Sequence, residues 1–213
     1  MSQLRVAIAG STGSIGRQTL EVVKAHSDDY VVTALAVGSA VDLVIEQAKY
    51  FKPLVVVVAD EHARRQVAEQ LPDVCVVDDL VAIVDVADVV MNGVVGFAGL
   101  PVTLETLRQG KRLGLANKES LIAAGPIVQP LRSVPGATLV PVDSEHCAIH
   151  QCLRSSHDRS EVARLILTAS GGPFRGRTPE SLREVSVTDA LAHPTWKMGP
   201  KITVDSSTLM NDL

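Results

Sequence analysis

A glycine-rich turn near the start of the chain constrains the fold most strongly. The apolar run Leu4-Arg5-Val6-Ala7-Ile8-Ala9 reads as a strand, and Ile15 to Ala25 reads as an amphipathic helix. Between them lies Gly10-Ser11-Thr12-Gly13-Ser14-Ile15-Gly16. Its G-x-x-G-x-x-G spacing is a variant of the fingerprint that brings backbone close to a pyrophosphate. The following helix N-terminus offers free N–H groups to that anion. A purely structural turn is the competing reading. The position, with a strand before and a helix after, favours a bound dinucleotide.

The pattern repeats along the first two-thirds of the chain. Strands are expected at Tyr30–Val37, Leu54–Ala59, Val74–Val77, Asp88–Met91 and Arg112–Ala116. Helices are expected at Val41–Phe51, Glu61–Gln70, about Leu100 to Arg108, and Glu119–Val128. Such alternation predicts right-handed βαβ units on a parallel sheet. The apolar content supports this. Hydrophobic residues make up 46% of the 213 residues but aromatics only 3%. The remainder is the Val, Leu, Ile and Ala that fills buried parallel strands.

Charge and cysteine content limit the partners. The net charge is −4 with no basic block, which argues against nucleic acid. Cys75, Cys147 and Cys152 have no metal or redox spacing, and an odd count fits a reducing cytoplasm. Neither a signal peptide nor a membrane-length apolar run is visible, so a cytoplasmic protein without a membrane partner is expected.

Cofactor choice is normally set just after the second strand. An acid there would hold the ribose 2′-hydroxyl of NAD. Here the turn is Gly38-Ser39-Ala40, with no acid before Asp42. That leans towards NADP, although no Arg or Lys stands in the turn and Ser39 offers only one hydroxyl. Further on, Leu115-Ala116-Asn117-Lys118-Glu119-Ser120 closes a strand at the edge that faces the ligand crevice. Lys118 can serve a carbonyl, hydroxyl or phosphate there, and Asn117 and Glu119 can reach a cofactor. Helix capping by Asn117 is an equal alternative.

After Pro141-Val142 comes Asp143-Ser144-Glu145-His146. In extended chain, positions i and i+2 share a side, so both carboxylates can aim at one Mg²⁺ or Mn²⁺. A helix N-terminus that favours acids is the bland alternative. The character of the sequence then changes. Glu145–Leu153 reads as a helix, Ala163–Ala169 as a strand, Gly176–Leu191 as polar loop and Lys201–Asp205 as a last strand. Ser170-Gly171-Gly172-Pro173-Phe174 resembles an anion nest. Trp196, the only tryptophan, sits in a Pro- and Gly-bounded loop and suggests a lid. His193 with the small polar residues of Asp205-Ser206-Ser207-Thr208 can hold a phosphate.

Together, these motifs resemble the 1-deoxy-D-xylulose 5-phosphate reductoisomerase family. Six segments match in order: Gly10–Gly16, Leu115–Leu121, Pro141–His146, Ser170–Phe174, His193–Gly199 and Lys201–Asn211. The resemblance implies an α/β fold, a Rossmann-like doubly wound, mostly parallel sheet followed by an incomplete α+β catalytic domain. It divides the chain into an NADPH-binding domain, 1–142, and a truncated catalytic domain, 143–213. It implies an oxidoreductase and isomerase of non-mevalonate isoprene biosynthesis. That enzyme rearranges the carbon skeleton with the help of a metal, then reduces with NADPH to 2-C-methyl-D-erythritol 4-phosphate. Thr12, Gly13, Ser14 and Ile15 would hold the NADPH phosphates. Gly38, Ser39 and Ala40 would lie near the 2′-phosphate, with Asn117, Glu119 and Gly199 also on the cofactor. Asp143 and Glu145 would bind Mg²⁺ or Mn²⁺. Lys118, Ser144 and Glu145 would hold the reacting end of a small phosphorylated sugar. Ser170, His193, Ser206 and Asn211 would hold the remainder of that sugar, beneath a loop carrying Trp196 and Met198. A homodimer is implied as well.

The chain departs from the family pattern twice. A basic residue and Asn usually follow the second-strand glycine, where Ser39-Ala40 stand here. The family also continues Lys-Gly-Leu-Glu after Asn211, with a phosphate-binding Lys and a third metal carboxylate, where Asp212-Leu213 stand here. Weak metal binding is therefore expected. A non-catalytic dinucleotide-binding module is the alternative function, and a related dehydrogenase with another substrate is a third.

Overall fold

A computed structural model describes residues 2–155 and 157–208. Its contacts divide the chain into two compact units, Met1–Asp143 and Ser144–Leu213.

The first unit is built on seven strands: β1 (Leu4–Ala9), β2 (Tyr30–Val37), β3 (Val55–Val58), β4 (Cys75–Val77), β5 (Val89–Asn92), β6 (Arg112–Leu115) and β7 (Thr138–Pro141). They form one sheet in the order β4-β3-β2-β1-β5-β6-β7, and every pairing is parallel. Six helices accompany them: α1 (Ser14–Ala25), α2 (Val41–Phe51), α3 (Glu61–Gln70), α4 (Ala82–Asp85), α5 (Leu100–Arg108) and α6 (Glu119–Leu131). The expected βαβ alternation is present. The short α4 and a 3₁₀ turn at Phe97–Gly99 were not anticipated, being too brief to show a period.

Both faces of the sheet are buried, which explains its apolar runs. Val6 and Ile8 of β1 pack with Leu20, Val23, Val44 and Ile45 on one face. Ala7 and Ala9 point the other way and pack with Ile83, Val84 and Val102. The small alanines let the helices of that face approach closely. A third cluster joins Leu107, Leu113 and Leu115 to Ala124 and Val128. The last of these helices, α6, bends at Ala124 (φ −134°, ψ 24°), just before Gly125-Pro126. Proline cannot donate to the preceding turn and crowds it, so the bend has a local cause.

The chain sets out from β1 to build β2, β3 and β4 on one side, then returns to build β5, β6 and β7 on the other. The loops after β1 and β5 therefore part company. This is the switch point at which open α/β sheets bind ligands.

The second unit contains α7 (Ser144–Ser155), α8 (Val187–Ala190) and α9 (Pro200–Thr208), joined by irregular chain and two 3₁₀ turns. Both strands expected here are corrected. Residues 163–169 are irregular, with Leu165, Ile166 and Leu167 exposed. A β-prone run becomes a strand only where a neighbour completes its hydrogen bonds, which periodicity does not report. Lys201–Asp205 is helical. Pro200 opens the helix, Lys201 and Asp205 pair at 2.6 Å across one turn, and Thr203 and Ser206 share its buried face. Within the supposed loop 176–191, Ser186 and Asp189 form a capping box that starts α8.

Candidate active site

The glycine turn has the geometry its spacing implies. Gly10 has φ +83°, and a methyl group there would lie 2.9 Å from Gly93 O. At Gly16 a methyl would lie 2.3 Å from Gly10 O, so only glycine lets α1 fold back against the turn. Gly10 and Ser11 donate their backbone N–H groups to Ala36 O at 2.8 and 3.0 Å, which ties the turn to β2. The Ser11 side chain is engaged with Gln47 of α2: its hydroxyl donates to Oε1 at 2.7 Å, and Nε2 donates to Ser11 O at 3.0 Å. No side chain caps the N-terminus of α1, where Gly13 stands. The first-turn N–H groups beside Thr12, Ser14 and Ile15 therefore face a place suited to a phosphate.

A cleft of about 340 Å³ opens beside this turn. Gly10 and Gly13 line it with Val37, Gly38, Ala59 and Asp78. Gly38 and Ser39 are exposed and Ala40 is half-buried. The far wall is Gly93–Val95 and Ala98, from the loop after β5. That loop and Asp78 were missed at the level of sequence. The glycines at 93, 96 and 99 were the available signal.

A buried polar network fixes the loop after β5 to the one after β6. Asn92 Nδ2 donates to Gly99 O at 2.8 Å and to Thr103 Oγ1 at 3.0 Å. Thr103 Oγ1 donates to Ser120 Oγ at 3.3 Å, and the Ser120 hydroxyl donates to Asn117 Oδ1. Asn117 Nδ2 then donates to Val94 O at 2.6 Å and Gly96 O at 2.7 Å. The four side chains are 0–1% exposed. Asn117, expected on a cofactor, thus has its amide engaged within the protein, and Lys118 rather than Asn117 is the N-cap of α6. Lys118 and Glu119 stand half-buried at that helix start.

Asp143 ends the first unit, and Glu145 is the second residue of the next, which begins at Ser144. The strand geometry assumed for the pair does not hold. The strand β7 stops at Pro141, and Glu145 lies in the first turn of α7, where the helix dipole favours a carboxylate. Ser144 opens that helix and is exposed. Among the described residues, no three His, Cys, Asp or Glu side chains group as a metal site. Each carboxylate is by itself a hard oxygen donor of the kind that Mg²⁺ accepts.

Within the second unit, Ser170 and His193 meet. Ser170 Oγ lies 3.0 Å from His193 Nε2. His193 Nδ1 accepts the backbone N–H groups of Thr195 at 3.1 Å and Trp196 at 2.9 Å. In the neutral ring the proton therefore sits on Nε2 and is donated to Ser170. Gly172, with φ +58°, rests against α9, where a methyl would lie 2.2 Å from Ser206 O. Ser206 is buried and donates to Thr203 O at 2.7 Å. The structure thus gathers Ser170, His193 and Ser206 around one glycine turn. Trp196 is 60% exposed, Met198 is half-buried, and Gly199 precedes α9. Asn211 lies outside the described residues.

A doubly wound parallel sheet, with a glycine turn and a cleft at its switch point, is the architecture of dinucleotide-binding α/β proteins. The family profile described as 1-deoxy-D-xylulose 5-phosphate reductoisomerase matches residues 6–125, and that of the same enzyme's C-terminal domain matches 139–213. The chain belongs to the 1-deoxy-D-xylulose 5-phosphate reductoisomerase family. It is 48% identical to the reductoisomerase of Thermomicrobium roseum, covering 98% of this chain and 54% of that protein. It is 49% identical to that of Thermoanaerobacter pseudethanolicus, covering 97% and 55%. Among solved structures it is similar to the Zymomonas mobilis reductoisomerase in complex with NADPH, with TM-score 0.86, 38% identity and coverage of 99% and 55%. It is also similar to a reductoisomerase in complex with NADPH, fosmidomycin and magnesium, with TM-score 0.85, 36% identity and coverage of 98% and 55%. The chain spans about half the length of the relatives it matches.

Proposed function

We propose that this chain carries the cofactor-binding and substrate-binding portions of a 1-deoxy-D-xylulose 5-phosphate reductoisomerase. The observation that carries this is the glycine turn and cleft at the switch point of the sheet. The NADPH complexes of the relatives support the choice of cofactor. In this reading residues 1–142 bind NADPH and 143–213 bind metal and sugar phosphate. Thr12, Gly13, Ser14 and Ile15 hold the pyrophosphate. Asn117 acts through its backbone and the network it anchors, while Glu119 and Gly199 border the nicotinamide end. When bound, NADPH supplies hydride, and Mg²⁺ or Mn²⁺ at Asp143 and Glu145 polarises the oxygens of 1-deoxy-D-xylulose 5-phosphate. Lys118, Ser144 and Glu145 orient the reacting end. Ser170, held by His193, and Ser206 receive the phosphate, with Asn211 completing the set. The Trp196 loop covers the site and excludes water.

Consumption of NADPH with 1-deoxy-D-xylulose 5-phosphate and Mn²⁺ tests the proposal, with 2-C-methyl-D-erythritol 4-phosphate as the product sought. A second reading, a dinucleotide-binding module without turnover, is favoured by the lack of a three-residue metal group among the described residues. Tight NADPH binding without turnover would select it. Metal titration is expected to show weak Mn²⁺ binding that Asp143→Asn abolishes. Tight binding without substrate would contradict this.

The reading further includes a cytoplasmic homodimer, which light scattering would reveal as a doubled mass. No helix among the described residues is long and apolar enough to cross a membrane.

A further inference from the structure

The end of the cleft where a 2′-phosphate would sit raises a question of charge. The turn Gly38-Ser39-Ala40 offers a hydroxyl but no cation. The next titratable group on the cleft lining is a carboxylate, Asp78, just after β4. A doubly charged phosphate beside a bare carboxylate would be repelled.

Arg64 of α3 answers that charge. Its Nη1 lies 3.2 Å from Asp78 Oδ2 and 3.4 Å from Val58 O, to which it donates. Val57 and Ala59, on either side of Val58, both line the cleft. The guanidinium therefore lies beside two lining segments, the end of β3 and Asp78. Its helix is well anchored. The Asp60 carboxylate accepts the Ala63 N–H at 2.8 Å, and Ala63 and Val67 are buried. The ion pair itself is loosely held, since the Asp78 side chain is 68% exposed. Solvent screens such a pair, so exchanging Asp78 for phosphate oxygens loses little. The planar guanidinium can meet those oxygens with two donors.

We propose that Arg64 is the specificity-determining residue for a 2′-phosphorylated dinucleotide, replacing the cation missing after β2. It is shared between Asp78 and the 2′-phosphate, and Ser39 supplies a hydrogen bond from the other side. The inference rests on the NADPH reading of the cleft and adds which side chain does the selecting.

The test is direct binding of NADPH and NADH to the 213-residue chain, followed by nicotinamide fluorescence. Arg64→Ala should weaken NADPH roughly tenfold, the order of one charge-assisted hydrogen bond at a partly exposed site, and leave NADH unchanged. Arg64→Lys should recover part of the loss and controls for folding. Asp78→Asn should leave NADPH as tight or tighter. An unchanged ratio of NADPH to NADH affinity in Arg64→Ala would overturn the inference while leaving the dinucleotide reading intact. So would a selective loss of NADH in Asp78→Asn, which would make Asp78 a ribose ligand. Failure of the unaltered chain to bind either dinucleotide would overturn both.

Discussion

Each of the two units is stabilised internally by different means. Every buried hydrophobic residue among the described residues lies between Val6 and Val128. From Ser144 to Thr208 the buried described residues are Gly172, Thr203 and Ser206. One unit is a packed sheet with helices on both faces. The other is short helices and turns tied by hydrogen bonds around a glycine. Burial of apolar area supplies most folding free energy. The difference implies that the cleft at the switch point is carried by a self-sufficient scaffold. The Ser170–His193 cluster has local order with no buried hydrophobic residue among the described residues of its own unit.

The largest expected effect sets the two glycine contacts against each other. Gly16→Ala forces a methyl onto backbone atoms inside the first unit, 2.3 Å from Gly10 O. It should cost at least about 3 kcal/mol and abolish dinucleotide binding. Gly172→Ala meets an equally close carbonyl, that of Ser206 at 2.2 Å, yet should leave the main thermal transition in place. Only local exchange protection near Ser170 should fall. Equal losses of melting temperature would mean that the two units unfold as one.

Next come the apolar residues. Leu113→Ala opens a cavity at a fully buried position and should cost about 3 kcal/mol. Ile166→Ser, at a residue 67% exposed, should change stability by less than about 0.5 kcal/mol. Chemical denaturation of both variants measures the contrast directly. A large loss at Ile166 would show that the 163–169 run is covered in solution.

Those same residues show what a sequence can and cannot reveal. Strands such as β1 and β3 were legible because both sides are apolar, a property each residue carries alone. The turn at Gly10–Gly16 was legible because glycine spacing reports backbone approach. The run Leu165–Leu167 has identical chemistry but no strand partner among the described residues, and pairing is not encoded locally. Likewise Thr203 and Val204 favour strands, but Pro200 and the Lys201–Asp205 pair outweigh them. In the site, the types at Ser170 and His193 were legible, while their contact across 23 positions was not. Asp78 and Arg64 carried no motif at all.

A smaller effect concerns the network behind the cleft. Thr103→Val keeps the shape but deprives the Asn92 amide of an acceptor and Ser120 of a donor. The cost should be about 1–2 kcal/mol, the usual range for a buried group left unpaired. Because the network positions Gly96 and Val94, NADPH binding should weaken as well, and Thr103→Ser should restore it. A stability loss with unchanged binding would separate the brace from the cleft.

The smallest effect lies at the opposite edge of the sheet. Arg5 and Asp88 stand at the starts of β1 and β5, away from the crevice. Arg5 Nη2 meets Asp88 Oδ1 at 2.6 Å, and Nε and the backbone N–H of Arg5 donate to Oδ2 at 3.1 and 2.9 Å. The side-chain hydrogen bond, then the backbone one, lower the Asp88 pKa to about 2. The folded state thus holds this proton more weakly than the unfolded chain, whose Asp titrates near ~3.9. The pair contributes fully above about pH 4, and its contribution disappears as pH falls through about 2. Asp88 is about a third exposed, so screening reduces the contribution to about 1 kcal/mol. Asp88→Asn should lower stability by that amount at neutral pH, and the gap to the unaltered chain should close between pH 4 and 2. NADPH affinity should not change, because no cleft residue touches the pair. A shift in affinity would mean that the two edges of the sheet are coupled, and that the scaffold yields where its packing implies it is stiff.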